Sequence, residues 1–402
     1  MNEIVIVEPS FFSAFRCVGG ACPDHCCKGW DIALDKVTVE RYQQSDEIEI
    51  RNIASDNIIT TKESEGNWGK IKLNNDGSCA FLDEERLCRV HKSLGEKALS
   101  TTCAIYPRTY ASYKYEIRSN LTLSCPEAAK ILLTTPDAML YSERIKLSPQ
   151  PIDAPDIMQE DRLLNLMCTN IMVHSGRHIN EGFYTVLKLL MFREGAKKDA
   201  TLTDNLLSYY ESIISDIENG GIKHEIKRVS ADYHFTSALL SQLQNFLTRN
   251  SEGRGASVLR RYTQRLSALH GNDPNSVDLP SHMQQLDIIW REKTIVWLEQ
   301  YPHMLINYVQ YRFYEDFFPL KNGRRPFANL ALMLSELFLL KSLISATVET
   351  QGDPEEADIV NIIYSYHSLI RHNKNAEDLL LTEIAPLLSD GCHSLLPLCV
   401  QY

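Results

Sequence analysis

The chain has 402 residues, of which 44% are hydrophobic and 23% charged, and its formal net charge is -11. This length and apolar content can fill the cores of two domains, which excludes a disordered chain. The acidic balance excludes an ordinary nucleic-acid partner, because no basic excess is present to displace the counterions of a phosphate backbone.

The N-terminus and the apolar runs predict a cytoplasmic protein. The first nine residues, MNEIVIVEP, lack the basic start and the long apolar middle of a secretory signal. The apolar run 330–340 is interrupted by Ser335 and Glu336, and no run reaches the roughly 20 apolar residues that a membrane-spanning helix needs. We therefore expect no transmembrane segment, and any membrane association would be peripheral.

Short strands, turns and helices alternate in the first 150 residues. Residues 4–7 predict a strand, and residues 70–82 predict a hairpin around an Asn-Asn-Asp-Gly turn. The polar stretch 52–68 predicts a surface excursion. Alternation over residues 113–123 predicts one long strand, after which Pro126 begins a helix.

Eight of the eleven cysteines lie in the first 125 residues. They are Cys17, Cys22, Cys26, Cys27, Cys79, Cys88, Cys103 and Cys125. Thiolates are preferred ligands of zinc and of iron–sulfur clusters, and disulfides are rare in a reducing compartment. These eight cysteines are therefore candidate metal ligands, with disulfides or inert thiols as the alternative. Cys168, Cys392 and Cys399 lie in apolar helical segments, where we expect small core residues.

Other polar residues lie beside these cysteines. His25 and His91 are candidate ligands, and solvated loop histidines are the alternative. Several cations would offset the negative charge of a thiolate-bound cluster, although ordinary surface charge is the simpler interpretation of each one taken separately. These cations are Arg16, Lys28, Arg89, Lys92 and Arg108.

The proline-rich stretch 146–156 predicts a linker between two domains. Beyond it, apolar residues recur with helical period. The predicted helices cover 157–175, 181–193, 202–218, 235–249, 255–269, 283–299, 302–316, 326–347, 355–372 and 376–388. The expected fold class is therefore α+β, with a small cysteine-rich metal-binding domain over residues 1–150 and a mostly α-helical bundle over residues 151–402.

One predicted helix is unusually aromatic. Tyr308, Tyr311 and Tyr314 recur at every third position, which brings them near a common helix face. An aromatic stripe of this kind is typical of a core or an interface. The functional alternative is a pocket for a cationic group, because the face of a tyrosine ring attracts ammonium or sulfonium charge.

The cysteine pattern and the aromatic segment together resemble a known family. The cysteine pattern is similar to that of zinc- or iron-chelating cysteine-cluster proteins, and it comprises Cys22-x3-Cys26-Cys27, Cys79-Ala-Phe-Leu with Cys88, Cys103-x2-Tyr106-Pro107-Arg108 and Cys125-Pro126. Two further segments, Asn307-Tyr308-Val-x-Tyr311 and Phe317-Phe-Pro319, narrow the resemblance to the flagellin lysine-N-methylase family.

This resemblance implies a cytoplasmic enzyme that transfers methyl groups from S-adenosylmethionine to lysine ε-amines of flagellin before export. It also implies a [4Fe–4S] cluster held by the cysteine-rich region. The chain departs from the Cys-x3-Cys-x2-Cys signature of radical S-adenosylmethionine enzymes, because Gly29 stands where the third cysteine would be. Eight cysteines exceed the four thiolates of one cluster, which leaves room for zinc at a second site.

Three tyrosines and one arginine are candidates for the chemistry. A lysine amine attacks a methyl group only when neutral, and its pKa of about 10.4 leaves on the order of one part in a thousand neutral at pH 7. Tyr308 and Tyr311 are predicted catalytic residues, because aromatic rings would desolvate the amine. Tyr106 or a nearby carboxylate is predicted to assist proton removal, and Arg108 is predicted to bind the cofactor.

Two further interpretations fit the same residues. The first is a zinc-stabilised adaptor protein whose helical domain binds a partner without catalysis. The second is a metallochaperone, which would exchange its metal readily and turn over no S-adenosylmethionine. Each of these interpretations is compatible with an oligomer.

Overall fold

The structure is a computed structural model that describes residues 1–30, 32–196, 201–250, 252–269, 279–371, 373, 375–388 and 391–400. It confirms the α+β class, with strands confined to the first 148 residues of the described chain. The strands are β1 (Asn2–Pro9), β2 (Ala33–Leu34), β3 (Ile58–Ser64), β4 (Asn67–Ile71), β5 (Arg108–Tyr113), β6 (Glu116–Leu121) and β7 (Tyr141–Ser148). The helices among them are α1 (Ser10–Ala14), α2 (Lys36–Gln43), α3 (Ile48–Asn57), α4 (Arg89–Leu94), α5 (Thr101–Ile105) and α6 (Pro126–Thr134).

Beyond residue 150 the described chain is helical. The helices are α7 (Gln159–Ser175), α8 (Ile179–Gly195), α9 (Leu202–Glu218), α10 (Gly221–Ile226), α11 (Tyr233–Arg249), α12 (Ala256–Leu269), α13 (Leu279–Ile289), α14 (Ile295–Leu298), α15 (Met304–Glu315), α16 (Pro326–Gln351), α17 (Glu356–Tyr366), α18 (Ala376–Ile384) and α19 (Leu396–Val400). Two π-helical turns, Trp290–Thr294 and His367–Arg371, follow α13 and α17. The helical period located most of these elements to within a few residues but did not predict α10 or α19, and residue 372, the expected end of one helix, lies outside the described residues.

The larger sheet has the strand order β5-β6-β1-β7. Strand β1 runs parallel to β6, with Ile6 opposite Ile117, and antiparallel to β7, with Ile6 opposite Arg144. The long strand expected over residues 113–123 is wrong, because the chain turns at residues 114–115 and forms the β5–β6 hairpin instead. Alternation of side chains continues across a tight turn, so periodicity alone did not reveal the reversal.

The smaller sheet has the order β2-β4-β3. The stretch 52–68, expected as a surface excursion, instead forms the end of α3, all of β3 and the start of β4. The hairpin expected over residues 70–82 is reduced to one antiparallel bridge between Leu73 and Cys79, because β4 pairs with β3 instead. Six of the seven residues of β3 are exposed, so its polar sequence did not predict a strand.

In the described part of the chain, buried apolar side chains form two separate cores. The smaller core lies entirely within residues 32–98 and includes Leu34, Tyr42 and Phe81. The larger core joins the β1–β6 sheet and α6 to most of the later helices. Asn307 links α15 to α6 within this core, since its side-chain amide donates to the carbonyl oxygens of Leu132 at 2.9 Å and Thr135 at 2.8 Å. The domain boundary at residue 150 stays a prediction. The two cores do not divide there, because the larger core contains residues from both sides of residue 150.

Helix α16 is the central helix of the larger core. It is long and apolar enough to cross a membrane, yet 89% of its apolar window is buried inside the fold. Every residue from Asn329 to Val348 is buried. A helix that is apolar on all sides is expected where other helices surround it, and that burial accounts for its composition.

Candidate metal centre

A loop carrying four cysteines, Cys22, Cys26, Cys27 and the preceding Cys17, is held by backbone hydrogen bonds to a second turn. The amide of Cys79 donates to the carbonyl oxygen of Cys27 at 2.8 Å, and the amide of Gly29 donates to that of Gly77 at 2.9 Å. Gly29 and Gly77 both adopt positive φ, a conformation that favours glycine. The two cysteine segments that are far apart in the chain therefore lie side by side.

Five thiols form the inner part of this centre. Cys26, Cys27, Cys79, Cys88 and Cys103 perturb one another electrostatically. A hydrogen bond from the Cys27 thiol lowers the pKa of the Cys26 thiol to about 7 and raises that of Cys27 itself. Burial raises the pKa of the other three thiols, to about 12 for Cys79. At neutral pH a metal would have to displace protons from most of these sulfurs.

The remaining predicted ligands are Cys17, Cys22 and Cys125. Cys22 and Cys125 are buried and Cys22 contributes to the raised pKa of Cys125, whereas Cys17 is exposed. All eleven cysteines are free thiols, so the disulfide alternative finds no support. Cys168 and Cys399 are buried core residues, as expected from their apolar segments, and Cys392 is half-buried.

The donor chemistry of this centre fits a thiophilic metal. Within the described residues, no three Cys, His, Asp or Glu side chains are already arranged as the ligands of one ion. The same loop nevertheless carries a buried imidazole nitrogen, His25 Nδ1, that has no hydrogen-bond partner. A dense set of neighbouring thiols beside an unsatisfied imidazole is the donor set that zinc and iron prefer. The ligand assignments stay predictions.

The principal cation of the centre is Arg254, which sequence reasoning did not identify. Its side chain is 9% exposed and bridges the helical region to the cysteine loop. Nη2 donates to the carbonyl oxygen of Asp24 at 2.6 Å, and Nε lies 3.6 Å from Asp24 Oδ2. This positive charge counteracts the rise in pKa that burial imposes on Cys22 and Cys125. A buried guanidinium there would stabilise thiolates and a negatively charged cluster.

Glycines allow the backbone of Arg254 to approach the cysteine loop closely. Arg254 stands between Gly253 and Gly255, both at positive φ. A Cβ atom at Gly29 would lie only 3.0 Å from the Arg254 backbone nitrogen. The Gly-Arg-Gly triplet is the signal that could have pointed to this residue, but a lone triplet of this kind between helices is equally typical of an ordinary turn.

Most of the cations expected near the cysteines are engaged elsewhere. Arg89 pairs with Glu49 at 2.5 Å and Lys92 with Asp83 at 2.7 Å. The Arg108 guanidinium lies 5.5 Å from the centre of the Phe15 ring. Its assignment to cofactor binding stays a prediction.

Tyr106 lies at the junction of the cysteine region and the helices. Its hydroxyl accepts a hydrogen bond from Arg254 Nη1 at 2.7 Å and lies 3.2 Å from Ser124 Oγ. The Tyr106 ring packs against Trp30, with 5.7 Å between ring centres. Burial raises the pKa of the Tyr106 phenol, which therefore stays protonated at neutral pH. This environment disfavours proton removal by Tyr106 and suits a role in positioning Arg254.

Tyr308 and Tyr311 lie in the larger core with 0% of their surface exposed. The Tyr308 hydroxyl donates to Glu336 Oε1 at 2.8 Å, and the Tyr311 hydroxyl donates to Glu315 Oε1 at 2.7 Å. Burial raises the pKa of both phenols. This placement favours the interpretation of the tyrosine stripe as core, and the catalytic assignment stays a prediction.

A cleft of about 380 Å³ opens beside the cysteine loop. Gly29 and Trp30 line one side, and the segment around Arg254 with Ser368 lines the other. Arg249 and Glu252 add one charge of each sign. The cleft thus offers an indole face, cations and a carboxylate next to the thiols.

Two sequence families match the chain. Residues 165–394 match the C-terminal domain of the FliB lysine N-methylases, and residues 16–126 match a domain described as zinc- or iron-chelating. The second match covers all eight predicted cysteine ligands.

Individual relatives agree with these matches. The chain is 34% identical over 375 residues to the lysine-N-methylase of Salmonella typhimurium strain LT2, an alignment that covers 93% of each chain. It is 51% identical over 153 residues to the flagellar biosynthetic protein FliU of Salmonella muenchen, which covers 38% of this chain and 90% of that protein. No solved structure shows significant similarity.

Proposed function

The chain belongs to the FliB lysine N-methylase family and is a protein-lysine N-methyltransferase, and on that premise we propose that it methylates flagellin lysines with S-adenosylmethionine at the cleft beside the cysteine centre. The observation that carries the proposal is the junction at Arg254. There the zinc- or iron-chelating region and the methylase region share one buried cation and one cleft.

The proposed reaction is a methyl transfer. The bond between the sulfonium sulfur and the methyl carbon breaks, and a bond from the lysine nitrogen to that carbon forms. The products are S-adenosylhomocysteine, a methylated lysine and one proton. The lysine must arrive neutral, so the site has to remove water from its ammonium form or accept its proton.

The cleft supplies groups of the right kind for the methyl donor. The Trp30 indole is suited to a sulfonium cation or to an adenine ring, since aromatic faces attract both. Arg254 is suited to the donor's carboxylate, whereas Arg249 already pairs with Glu383 at 2.5 Å. Glu252, also in the lining, is suited to its ammonium or ribose hydroxyl groups.

The metal is proposed as a [4Fe–4S] cluster bound by four of the eight cysteines, with zinc at a second set as a further possibility. Cys26, Cys27, Cys79, Cys88 and Cys103 perturb one another electrostatically and are the first candidates. Such a cluster would supply electron transfer or Lewis acidity when bound. Arg254 would offset the negative charge of its thiolates.

Flagellin is proposed as the substrate on two grounds. Relatives carry flagellar names, among them the flagellar biosynthetic protein FliU. The net charge of -11 would also attract a lysine-bearing surface. We place the reaction in the cytoplasm, where eleven free thiols would persist and where flagellin is present before export. Peripheral membrane association and oligomer formation are compatible with this proposal.

The test is a reaction of anaerobically purified protein with S-adenosylmethionine and unmodified flagellin, followed by mass spectrometry of flagellin peptides. We expect lysines that gain the mass of one or more methyl groups. Flagellin that gains no methyl groups would contradict the proposed substrate. If S-adenosylhomocysteine is then formed with another lysine-containing protein, that protein would be the methyl acceptor instead of flagellin.

Two cysteine variants test whether the metal is required for turnover. Cys26→Ser should lose both metal and turnover, whereas Cys392→Ser, which changes a half-buried thiol of the helical region, should keep both. A brown sample whose visible absorption bleaches on reduction supports the cluster. A colourless sample that turns over and contains stoichiometric zinc would replace the cluster with a zinc centre.

A further inference from the structure

A second cavity, of about 330 Å³, lies in the helical region. Its described lining residues all come from positions 177–341, so it shares no residue with the cleft beside the cysteines. Its walls are mostly apolar and include Trp290, Leu298, Tyr301 and Leu305. A concave apolar site with a few converging polar groups is the usual form of a small-molecule site.

The floor of this cavity contains a buried amine. Lys341, in the middle of α16, is 5% exposed. Its Nζ donates to Asn180 Oδ1 at 2.6 Å and lies 5.1 Å from the centre of the Trp290 ring. A lysine is among the residues least often buried, because removing an ammonium group from water is costly. Its position on an otherwise apolar helix face that borders a cavity therefore indicates a ligand.

The charges around the cavity are unevenly placed. Arg177 and His178 lie exposed just before α8, and Glu299 lies exposed at the rim after α14. Glu181 is half-buried, and the Cys399 thiol faces Lys341 from α19. Lys341 is thus the only fully buried charged side chain among the described lining residues. It favours a ligand that places a single negative charge at the floor of the cavity.

We propose that this cavity binds a small organic monocarboxylate, whose carboxylate pairs with Lys341 Nζ and whose aromatic or branched aliphatic body packs against Trp290 and Leu305. One compact ammonium group matches one carboxylate, whereas a phosphate would bring a second charge that no other buried cation of the described lining would balance. An amine ligand would be repelled. The proposal is independent of the methyl-transfer reaction, since no described residue of the cysteine region lines this cavity.

The test measures binding of 3-phenylpropionate to the full-length protein by isothermal titration calorimetry. The uncharged 3-phenylpropionamide, which has the same body, is the ligand control. We expect the carboxylate to bind at least tenfold more tightly than the amide. Equal affinities, or no binding of the carboxylate, would overturn the proposal.

Two variants locate the site. Lys341→Met removes the amine with little change in length and should weaken carboxylate binding at least tenfold. Lys293→Met is the matched control, because Lys293 belongs to the adjacent π-helical turn but points outward and pairs with Glu349 at 2.6 Å. Unchanged binding by the Lys341 variant would overturn the proposal.

A third variant covers the case in which the Lys341 variant fails to fold. Leu305→Trp keeps the amine and fills the half-buried wall of the cavity. It should abolish binding of 3-phenylpropionate while circular dichroism stays unchanged. Retained binding in that variant would place the ligand elsewhere and overturn the proposal.

Discussion

Arg254 donates a hydrogen bond to the hydroxyl of Tyr106, a residue 148 positions earlier in the chain, at 2.7 Å. This contact joins the cysteine region to the helical region where the candidate metal centre and the cleft meet. Because the Arg254 guanidinium is buried, the groups that accept its hydrogen bonds also determine the shape of the centre.

Tyr106→Phe removes the hydroxyl and leaves one buried Arg254 donor without its acceptor. We expect a loss of about 1–3 kcal/mol in the free energy of unfolding, the usual cost of an unsatisfied buried group. Urea unfolding measures the change. Tyr110→Phe is the control, because Tyr110 lies four residues later, on β5, and is 52% exposed. Equal stabilities of the two variants would show that the contact contributes nothing.

Gly29→Ala should displace the Arg254 segment. The new Cβ would lie 3.0 Å from the Arg254 nitrogen, and φ at this position is 77°, which strains any residue other than glycine. We expect a cost of about 1–3 kcal/mol together with weaker metal retention. Gly66→Ala, where no atom lies within 4 Å of the new Cβ, is the control. Full metal content in the Gly29 variant would contradict the role of this close approach.

Tyr308→Phe separates a core role from a catalytic one. If the ring only packs in the core, loss of its hydrogen bond to Glu336 should cost about 1–3 kcal/mol, and kcat/KM per folded molecule should be unchanged. Thermal unfolding and methyl-transfer kinetics on the same samples measure both quantities. A large fall in kcat without loss of stability would instead support the catalytic assignment of Tyr308.

Lys341 should make stability rise with pH. Burial lowers the pKa of its amine to about 7, below the value of about 10.4 expected in the unfolded chain. Between these values the unfolded state binds more protons, so stability increases with pH by at most about 1.4 kcal/mol per unit. Burial raises the pKa of the facing Cys399 thiol to about 12, which keeps it neutral over this window.

Urea unfolding from about pH 7 to about pH 10 tests this linkage. Lys341→Met should flatten the rise, and Lys293→Met should leave it as in the unchanged protein. The same slope in the Lys341 variant would assign the pH dependence to other groups.

Metal removal should destabilise the protein in a pH-dependent way. Most of the centre's thiols are held protonated by burial, so metal binding releases protons and strengthens as pH rises. Anaerobic thermal unfolding with and without a chelator, at pH 6 and pH 8, measures the difference. We expect the chelator to lower the midpoint more at pH 8. An equal shift at both values would indicate ligands other than these cysteines.

Local patterns in the sequence predicted much of this protein. Helical period located most of the helices, and the cysteine spacing with the aromatic segment identified the family that the relatives confirm. The secondary-structure predictions were wrong where neither the spacing of apolar residues nor the polarity of the segment distinguishes one structure from another. The β5–β6 reversal preserves alternation through its turn, and exposed β3 has few apolar residues to mark it as a strand.

The sequence by itself determined the α+β class and the methylase family and supplied the candidate cysteine ligands, because each is recorded in short-range spacing. Only the tertiary structure decided that Arg254 is the cation of the cysteine centre, that Tyr308 and Tyr311 are fully buried, and that Lys341 faces a cavity. These facts depend on contacts between residues far apart in the chain. Such contacts arise from packing and desolvation, which leave no periodic signal in one sequence.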